Sequence, residues 1–215
     1  VSIDCQQASY LHFLPGLPER VPLALDLASP PVLGRRTRPT LYFAGGHPLS
    51  RYLASQWLPM PAMDTSGGNV AQAAVSLAVG LGAREVLLAG MDFACPQGKP
   101  YSRGTFLYAH TASRETRLAT AESWFLAFQA EGRNASQPRY TSRPLDLYRR
   151  RLEAYARTVP ARLVLVPGAT LPLDLPERPL AQGRAVSLPP AQHPARPWRA
   201  FLEDYAAGLR DLPEP

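Results

Sequence analysis

The stretch Asp64-Thr-Ser-Gly-Gly-Asn-Val70 opens the segment that decides the fold of this chain. Residues 70–81 are nearly all apolar, which is typical of an α-helix buried on most sides. Gly82 occupies the position at which a left-handed residue ends such a helix. Residues 86–89, Val-Leu-Leu-Ala, predict a strand buried on both faces, as in parallel sheets. Asp92 closes this strand, so the order loop, helix, strand and acid predicts an α/β unit.

The polar turn before this helix is a candidate site for a phosphate group. The first amides of a helix lack partners within the helix and carry the positive end of its dipole. Ser66, Gly67, Gly68 and Asn69 are therefore predicted to form a phosphate cradle. Ligands of open α/β sheets bind outside the carboxyl ends of the strands, where Asp92 would project. In the alternative interpretation, Ser66 or Asn69 only caps a core helix and the glycines only turn the chain.

Polar residues and glycines also follow two other predicted strands, residues 22–25 and 40–44. These residues are Asp26, Ser29, Gly45, Gly46 and His47. Parallel strands end at a common edge, so we expect these groups to line a ligand crevice with Asp92, and His47 to be a turn residue there. The fold expected is α/β, with a Rossmann-like, open, mostly parallel sheet and helices on both faces. The glycine motifs of ordinary dinucleotide-binding and P-loop proteins do not occur in the sequence.

Hydrophobic periodicity predicts the remaining elements. Further helices are expected at residues 49–57, 114–130, 145–158 and 199–209, further strands at residues 1–3 and 163–166, and loops at residues 94–105 and 131–143. Residues 1–175 are predicted to form the Rossmann-like domain. Residues 176–215 are predicted to be a proline-rich extension whose final helix packs on the body or on a partner. Because the chain opens directly in a strand and without Met, we expect a fragment that lacks upstream residues.

Composition limits the functional classes. The chain has 215 residues, 46% of them hydrophobic, and no apolar run of about 18 residues, so no membrane span is expected. Cys5 and Cys95 lack metal-site spacing, which predicts a reducing, cytoplasmic environment. The net charge of +6 suits an anionic small ligand such as a nucleotide. The basic residues are scattered, and the run Arg149-Arg-Arg151 indicates a solvated face rather than a nucleic-acid site. Lys99, the only lysine, is a candidate for a specific contact.

The sequence resembles a known family at the residues quoted above, at Leu81-Gly-Ala-Arg-Glu-Val-Leu-Leu-Ala-Gly-Met-Asp-Phe93 and at Gly98-Lys-Pro-Tyr101. It resembles the motility accessory factor family, flagellin-associated proteins that contain a 6-hydroxymethylpterin diphosphokinase-like domain. The same stretch is similar, more distantly, to bacterial CMP-sialic acid-dependent sialyltransferases. The resemblance covers about residues 1–108 and fades toward residue 175.

The sialyltransferase resemblance implies roles for individual residues. Ser66 and Gly67 would contact the nucleotide-sugar donor, Tyr101 would hold the departing phosphate, and His110, placed just before a helix, would be the catalytic base. The second loop tyrosine of those enzymes is replaced here by Ala94, a departure from their pattern. Without the resemblance, the loop setting of His110 indicates a surface or helix-capping histidine.

The leading interpretation is therefore a nucleotide-sugar-dependent glycosyltransferase of the flagellin-glycosylation type. A CMP-activated nonulosonic sugar would be transferred to a Ser/Thr hydroxyl of flagellin or another protein acceptor. Asp92 would lie near the sugar or ribose, and Tyr101 or Lys99 would stabilise the leaving phosphate. This reaction requires no metal or other cofactor.

Two alternatives remain open. A diphosphokinase would transfer pyrophosphate from ATP to a pterin alcohol, with Mg²⁺ held by Asp92 and Asp26. A non-catalytic binding or assembly module in flagellar biogenesis would instead use the proline-rich segment and the final helix as contact surfaces, and an oligomer would be consistent with it.

Overall fold

A computed structural model describes residues 1–13, 21–35, 39–96, 101–120, 123, 132–133, 139–168, 171–180 and 198–210. The strands are β1 (Leu23–Asp26), β2 (Thr40–Phe43), β3 (Glu85–Leu88), β4 (Cys95–Pro96), β5 (Gly132–Arg133), β6 (Arg139–Thr141) and β7 (Arg162–Leu165). A 3₁₀-helix covers Gln7–Phe13. The α-helices are α1 (Pro31–Gly34), α2 (Pro48–Gln56), α3 (Val70–Gly80), α4 (Phe106–Ala112), α5 (Arg143–Ala156) and α6 (Trp198–Arg210).

The long strands pair in parallel, as predicted for an α/β fold. β1 pairs with β2, and β3 pairs with β7. Single parallel bridges add Ser2 beside Leu25, Ala62 beside Ala44, and Glu177 beside Leu165. Across the described ranges, the hydrogen-bonded strands form these two parallel pairs rather than one extended open sheet. The α/β class is therefore confirmed, but the described strands do not form the single, open Rossmann-like sheet that the sequence predicted.

Helix α3 forms where the apolar run predicted it. Its N-cap is Asn69, whose side-chain oxygen accepts the N–H of Gln72 at 2.9 Å, and the helix is followed by Gly82 in the left-handed region with a φ of 87°. Burial is less complete than expected at both ends, since Val70 is 50% and Leu81 is 55% exposed. The apolar run therefore predicts the helix correctly, but the ends of the helix are less buried than the run indicates.

Helix α3 packs against both parallel pairs through different faces. Ala73 and Leu77 join a cluster with residues of the β1–β2 side, whereas Val75 and Val79 join a cluster with β3, β7 and α5. The buried members of these two clusters are Ala24, Phe43, Met63, Ala73, Val75, Leu88, Leu152, Leu163, Leu165 and Leu173. On the opposite face of β1, Leu23 and Leu25 pack with α1 and the 3₁₀-helix. The β1–β2 pair thus has helices on both faces, and α3 is the element shared by the two halves of the core.

The region after β3 differs from the sequence prediction. A short antiparallel sheet of β4, β6 and β5 forms from residues 94–105 and 131–143, which were both expected to be loops. Helix α4 begins at Phe106, and residues 113–119 are turns, so the helix predicted from residue 114 does not start there. Leu118, which falls within that predicted helix, is 95% exposed. Residues 121–122 and 124–130 of the predicted helix lie outside the described residues.

The final helix packs on the body of the protein. Asp204 accepts hydrogen bonds from the Tyr52 hydroxyl at 3.0 Å and from the Trp57 indole N–H at 2.8 Å. Phe201 is 5% exposed and meets Trp57 edge to face at a centroid distance of 5.9 Å. The sequence left open whether this helix packs on the body or on a partner. In the structure it packs on the body, against α2.

The segment around residue 175, where the domain boundary was predicted, is attached to β7. The N–H of Leu165 donates to the carbonyl of Pro176, and the N–H of Arg178 donates to the carbonyl of Leu165. Arg178 also forms an ion pair with Glu85 of β3. Among the described helices, none is long and apolar enough to cross a lipid bilayer.

Candidate functional site

The carboxyl end of β1 places an acid beside the end of β2. Asp26 is 4% exposed, and its Oδ1 atom accepts the N–H of Ala28 at 3.0 Å. A Cβ atom added to Gly45 would overlap Oδ2 of Asp26 and would lie 3.2 Å from Cγ2 of Thr65. Only glycine therefore allows the chain after β2 to pass this close to the Asp26 carboxylate.

The next residue ties this edge to the turn before α3. The backbone N–H of Gly46 donates to Oγ1 of Thr65 at 2.9 Å. The structure thus brings together three residues predicted from separate strand ends and turns, namely Asp26, Gly45 and Gly46, with the entry to α3. His47, which follows, caps α2, because its Nδ1 atom accepts the N–H of Leu49 at 3.3 Å.

The turn itself is held by local hydrogen bonds. The N–H of Gly68 donates to the carbonyl of Thr65 at 3.0 Å, and Gly68 has a φ of 72°. The N–H of Ser66 donates to Oδ1 of Asp64 at 2.8 Å. Hydrogen bonding from the Ser66 side chain is the largest cause of the lowered pKa of Asp64, with smaller contributions from the Ser66 N–H, the Gln72 side chain and Arg51. The carboxylate of Asp64 therefore stabilises the turn in its ionised form.

These bonds reduce the number of amides available to a ligand. The N–H groups of Ser66 and Gly68 already have protein acceptors, and Asn69 caps the helix, as the alternative interpretation of the turn proposed. Within the part of the chain that the structure describes, the N–H groups of Gly67, Asn69, Val70 and Ala71 have no acceptor. The amides that could meet an anion thus include those at the end of the turn as well as those at the start of α3.

Gln72 lies beneath the turn with an incomplete set of hydrogen bonds. The residue is 2% exposed, and among the described residues its Oε1 atom has no hydrogen-bond partner. A Cβ atom added to Gly67 would overlap this oxygen and lie 2.9 Å from Cβ of Gln72. Gly67 is thus required by the buried side chain below it, and that side chain presents an unpaired polar atom to the turn.

Helix α5 contributes two residues that sequence reasoning missed. Arg151 donates from Nη1 to the carbonyl of Ser66 at 2.9 Å, across 85 residues of sequence. Tyr148 lies one turn earlier, and its Cε1 atom is 3.3 Å from where a Cβ of Gly68 would be. The run Arg149-Arg-Arg151 was interpreted as a solvated face, which describes the exposed Arg150 and Arg151 but not Arg149, whose side chain is 23% exposed. The pairing of Arg149 and Arg150 with nearby acids at helical spacing is the signal that separates them from Arg151.

Asp92 lies beyond β3 in a tightly turned segment. Gly90 has a φ of 68° and Phe93 a φ of 45°. Asp92 is half-buried, and burial together with its charge raises the pKa of the Cys95 thiol to about 11. Asp92 therefore lies close enough to Cys95 of β4 to act on its thiol.

Tyr101 and His110, to which the resemblance assigns catalytic roles, follow β4 in the chain. Tyr101 is 45% exposed. His110 lies inside α4, not before a helix as predicted, because Thr105 caps that helix by accepting the N–H of Tyr108 at 3.2 Å. The His110 ring stacks on Phe106 at 5.5 Å, and α4 packs against the 3₁₀-helix. No hydrogen bond between described residues joins either side chain to the turn at residues 64–69. Lys99 lies outside the described residues.

Comparison with known proteins supports the resemblance to the 6-hydroxymethylpterin diphosphokinase-like family. Residues 1–98 match the model of a family described as 6-hydroxymethylpterin diphosphokinase MptE-like. The chain is 32% identical over 151 residues to a protein of Treponema pallidum (strain Nichols) described as an uncharacterized protein. That alignment covers 66% of this chain and 54% of the relative, so the chain spans about half the length of the curated relative. No solved structure matches the chain.

Proposed function

From the MptE-like family match of residues 1–98, we propose that this chain is a nucleotide-dependent transferase domain that binds its donor's phosphate at the first turn of α3. The observation that carries the proposal is the hydrogen bond between Gly46 and Thr65. It joins the carboxyl edge of the β1–β2 pair to the entry of α3, which is where α/β proteins bind phosphorylated ligands.

The electrostatics of this edge suit an anion. A helix N-terminus carries roughly half a positive charge, and the open amides of Val70 and Ala71 point out of α3. The net charge of +6 favours anionic ligands more generally. The carboxylates of Asp26 and Asp64 both accept backbone N–H groups, and the dipoles of these N–H groups partly offset the repulsion between each carboxylate and a phosphate.

The donor we propose is a CMP-activated nonulosonic sugar, with a Ser/Thr hydroxyl of flagellin or another protein as acceptor. The acceptor oxygen forms a bond to the anomeric carbon as the bond from that carbon to the phosphate oxygen breaks. The electron pair leaves with CMP, and the hydroxyl proton passes to His110. Tyr101 and Lys99 are the proposed contacts of the leaving phosphate, and Asp92 the contact of the sugar or ribose.

A second function is favoured by the description of the matching family. An ATP-dependent enzyme would transfer pyrophosphate to a pterin alcohol, and Mg²⁺ would neutralise the phosphates. The described residues fit that metal poorly. Asp26, one of the two predicted ligands, is 4% exposed and enclosed by Ala28 and Gly45, which leaves it little access to a bound ion. The nucleotide-sugar reaction therefore remains the first proposal.

Titration calorimetry distinguishes these functions. The first proposal expects CMP to bind the 215-residue chain with or without Mg²⁺, and a CMP-sugar to be consumed by the wild type but not by His110→Ala. Stronger binding of ATP that requires Mg²⁺ would instead support the diphosphokinase. A chain that binds no cytidine nucleotide and no ATP would leave the non-catalytic module of flagellar biogenesis as the function to pursue.

A further inference from the structure

Arg151 of α5 stands at the entry to α3. Its Nη1 atom donates to the carbonyl of Ser66 at 2.9 Å and lies 3.5 Å from where a Cβ of Gly68 would be. Arg151 is exposed, so the remaining N–H groups of its guanidinium face solvent beside the turn. A planar cation with spare donors is thus positioned next to the open amides of the helix.

The charge of Arg151 is not neutralised as those of its neighbours are. Arg149 pairs with Asp146 and Glu153, both at 2.9 Å, and Arg150 pairs with Asp146 at 2.8 Å. Among the described residues, Arg151 forms no ion pair, and its hydrogen bond goes to a neutral carbonyl. Of three consecutive arginines on one helix, the one that contacts the turn is the one with its charge available to a ligand.

An independent observation indicates that the turn receives a further polar group. Gln72 is 2% exposed, its Oε1 atom has no partner in the described part of the chain, and it lies directly under Gly67. Buried polar atoms in native proteins are almost always hydrogen-bonded, and because this oxygen can only accept, its missing partner is a donor such as a water or a ligand hydroxyl, not the phosphate itself. The unpaired acceptor lies against Gly67, and Arg151 contacts Ser66 of the same turn.

We propose that Arg151 is the cationic contact of the donor phosphate. The phosphate lies between the guanidinium of Arg151 and the amides of Val70 and Ala71, with Tyr148 at the side of the turn. Arg is suited to this role because its forked donors match two phosphate oxygens at once. This inference rests on the proposed function and adds to it a binding residue from the C-terminal half of the chain.

The test compares two adjacent arginines in the 215-residue chain. Calorimetry with CMP and with inorganic pyrophosphate is expected to show affinity lower by about tenfold for Arg151→Gln, and unchanged within about twofold for Arg150→Gln. Arg151→Lys keeps the charge but not the fork, so an intermediate loss is expected. Cytidine, which lacks the phosphate, is expected to be insensitive to all three changes.

The outcomes separate this inference from the function on which it rests. If the wild type binds CMP or pyrophosphate and Arg151→Gln binds equally well, Arg151 is not the contact, while the proposed function stands. A wild-type chain that binds no CMP, ATP or pyrophosphate removes both. Should Arg151→Gln fail to fold, Arg151→Met, which keeps the aliphatic stem but removes the charge, decides the question, because wild-type CMP affinity of that variant with a normal melting curve contradicts the contact.

Discussion

Thr65 accepts the backbone N–H of Gly46 at 2.9 Å, so a single hydroxyl joins the end of β2 to the turn that enters α3. The two residues are 19 positions apart; Gly46 follows a predicted strand, and Thr65 lies in the turn before the predicted helix. Their contact ties Gly45, which lies against Asp26, to the turn that enters α3. Changes at Thr65 should therefore affect both the stability of this edge and any ligand bound there.

Thr65→Val keeps the shape of the side chain but removes the acceptor. Loss of this hydrogen bond is expected to lower the free energy of unfolding by about 1 kcal/mol, because the Gly46 N–H is then left to water. Urea unfolding followed by circular dichroism measures the change. Thr65→Ser retains the oxygen and should stay close to wild type, and equal stability of the Val and Ser variants would show that the bond contributes nothing.

Asn69→Asp separates helix capping from phosphate binding. Aspartate is as good an N-cap as asparagine but cannot donate to the carbonyl of Gly67, which Asn69 Nδ2 does at 3.2 Å, so its free energy of unfolding should fall by less than the loss of about 1 kcal/mol expected for Asn69→Ala. The added negative charge would lie beside the amides of Val70 and Ala71 and repel a phosphate. We expect CMP binding to fall by about tenfold in Asn69→Asp. Unchanged CMP affinity would mean that the phosphate binds elsewhere.

Gly67→Ala tests how tightly the turn lies on Gln72. The new methyl group would overlap the Gln72 amide and come within 2.9 Å of its Cβ, which side-chain rotation cannot relieve. A loss of about 1–3 kcal/mol in unfolding free energy is expected. Gly80→Ala is the matched control, because nothing lies within 4 Å of the added atom there and alanine favours the helix. Similar effects of the two changes would contradict the described packing.

The elements that sequence predicted well are those specified by local chemistry. Asn69, the apolar run and Gly82 all act within a few residues of α3, so its limits were predicted within one residue at each end. The parallel strands were located for the same reason, since a short apolar run followed by a polar residue is a local pattern. The Thr105 cap of α4 was equally local, but it was assigned to a loop, and that misplaced His110 relative to its helix.

The contacts that sequence could not predict join distant residues. The bond from Arg151 to Ser66 spans 85 positions, and helical periodicity places Arg149, Arg150 and Arg151 only on their own helix. Which of them faces the turn is decided by how α5 packs through Leu152, which is 1% exposed. For the same reason, the short sheet of β4, β5 and β6 was missed, because strands of two or three residues carry almost no periodic signal.

The ionised form of Asp64 should make the turn sensitive to acid. Hydrogen bonds from Ser66 lower the pKa of this carboxyl in the folded state below its unfolded value near 4. The resulting stabilisation is present above pH of about 4 and is lost as the pH falls through the lower folded-state pKa. Unfolding free energies of wild type and Asp64→Asn, measured between pH 6 and 2.5, should differ most at pH 6 and converge in acid. Ser66→Ala removes the largest cause and should weaken this pH dependence, and parallel curves would contradict the assignment.

Phe201→Ala should release the final helix from α2. Phe201 is 5% exposed and packs against Trp57, so its truncation is expected to cost about 3 kcal/mol of docking free energy. Hydrogen exchange of the α6 amides should then accelerate, while that of α3 stays as in wild type, because the hydrogen bonds to Asp204 alone are too weak to hold the helix. Leu202→Ala, one residue along and 46% exposed, is the matched control and should leave exchange in α6 almost unchanged. If Phe201→Ala and Leu202→Ala exchange alike, the aromatic contact does not hold α6 on the body, and the helix surface would be free to act as the contact surface of a binding module.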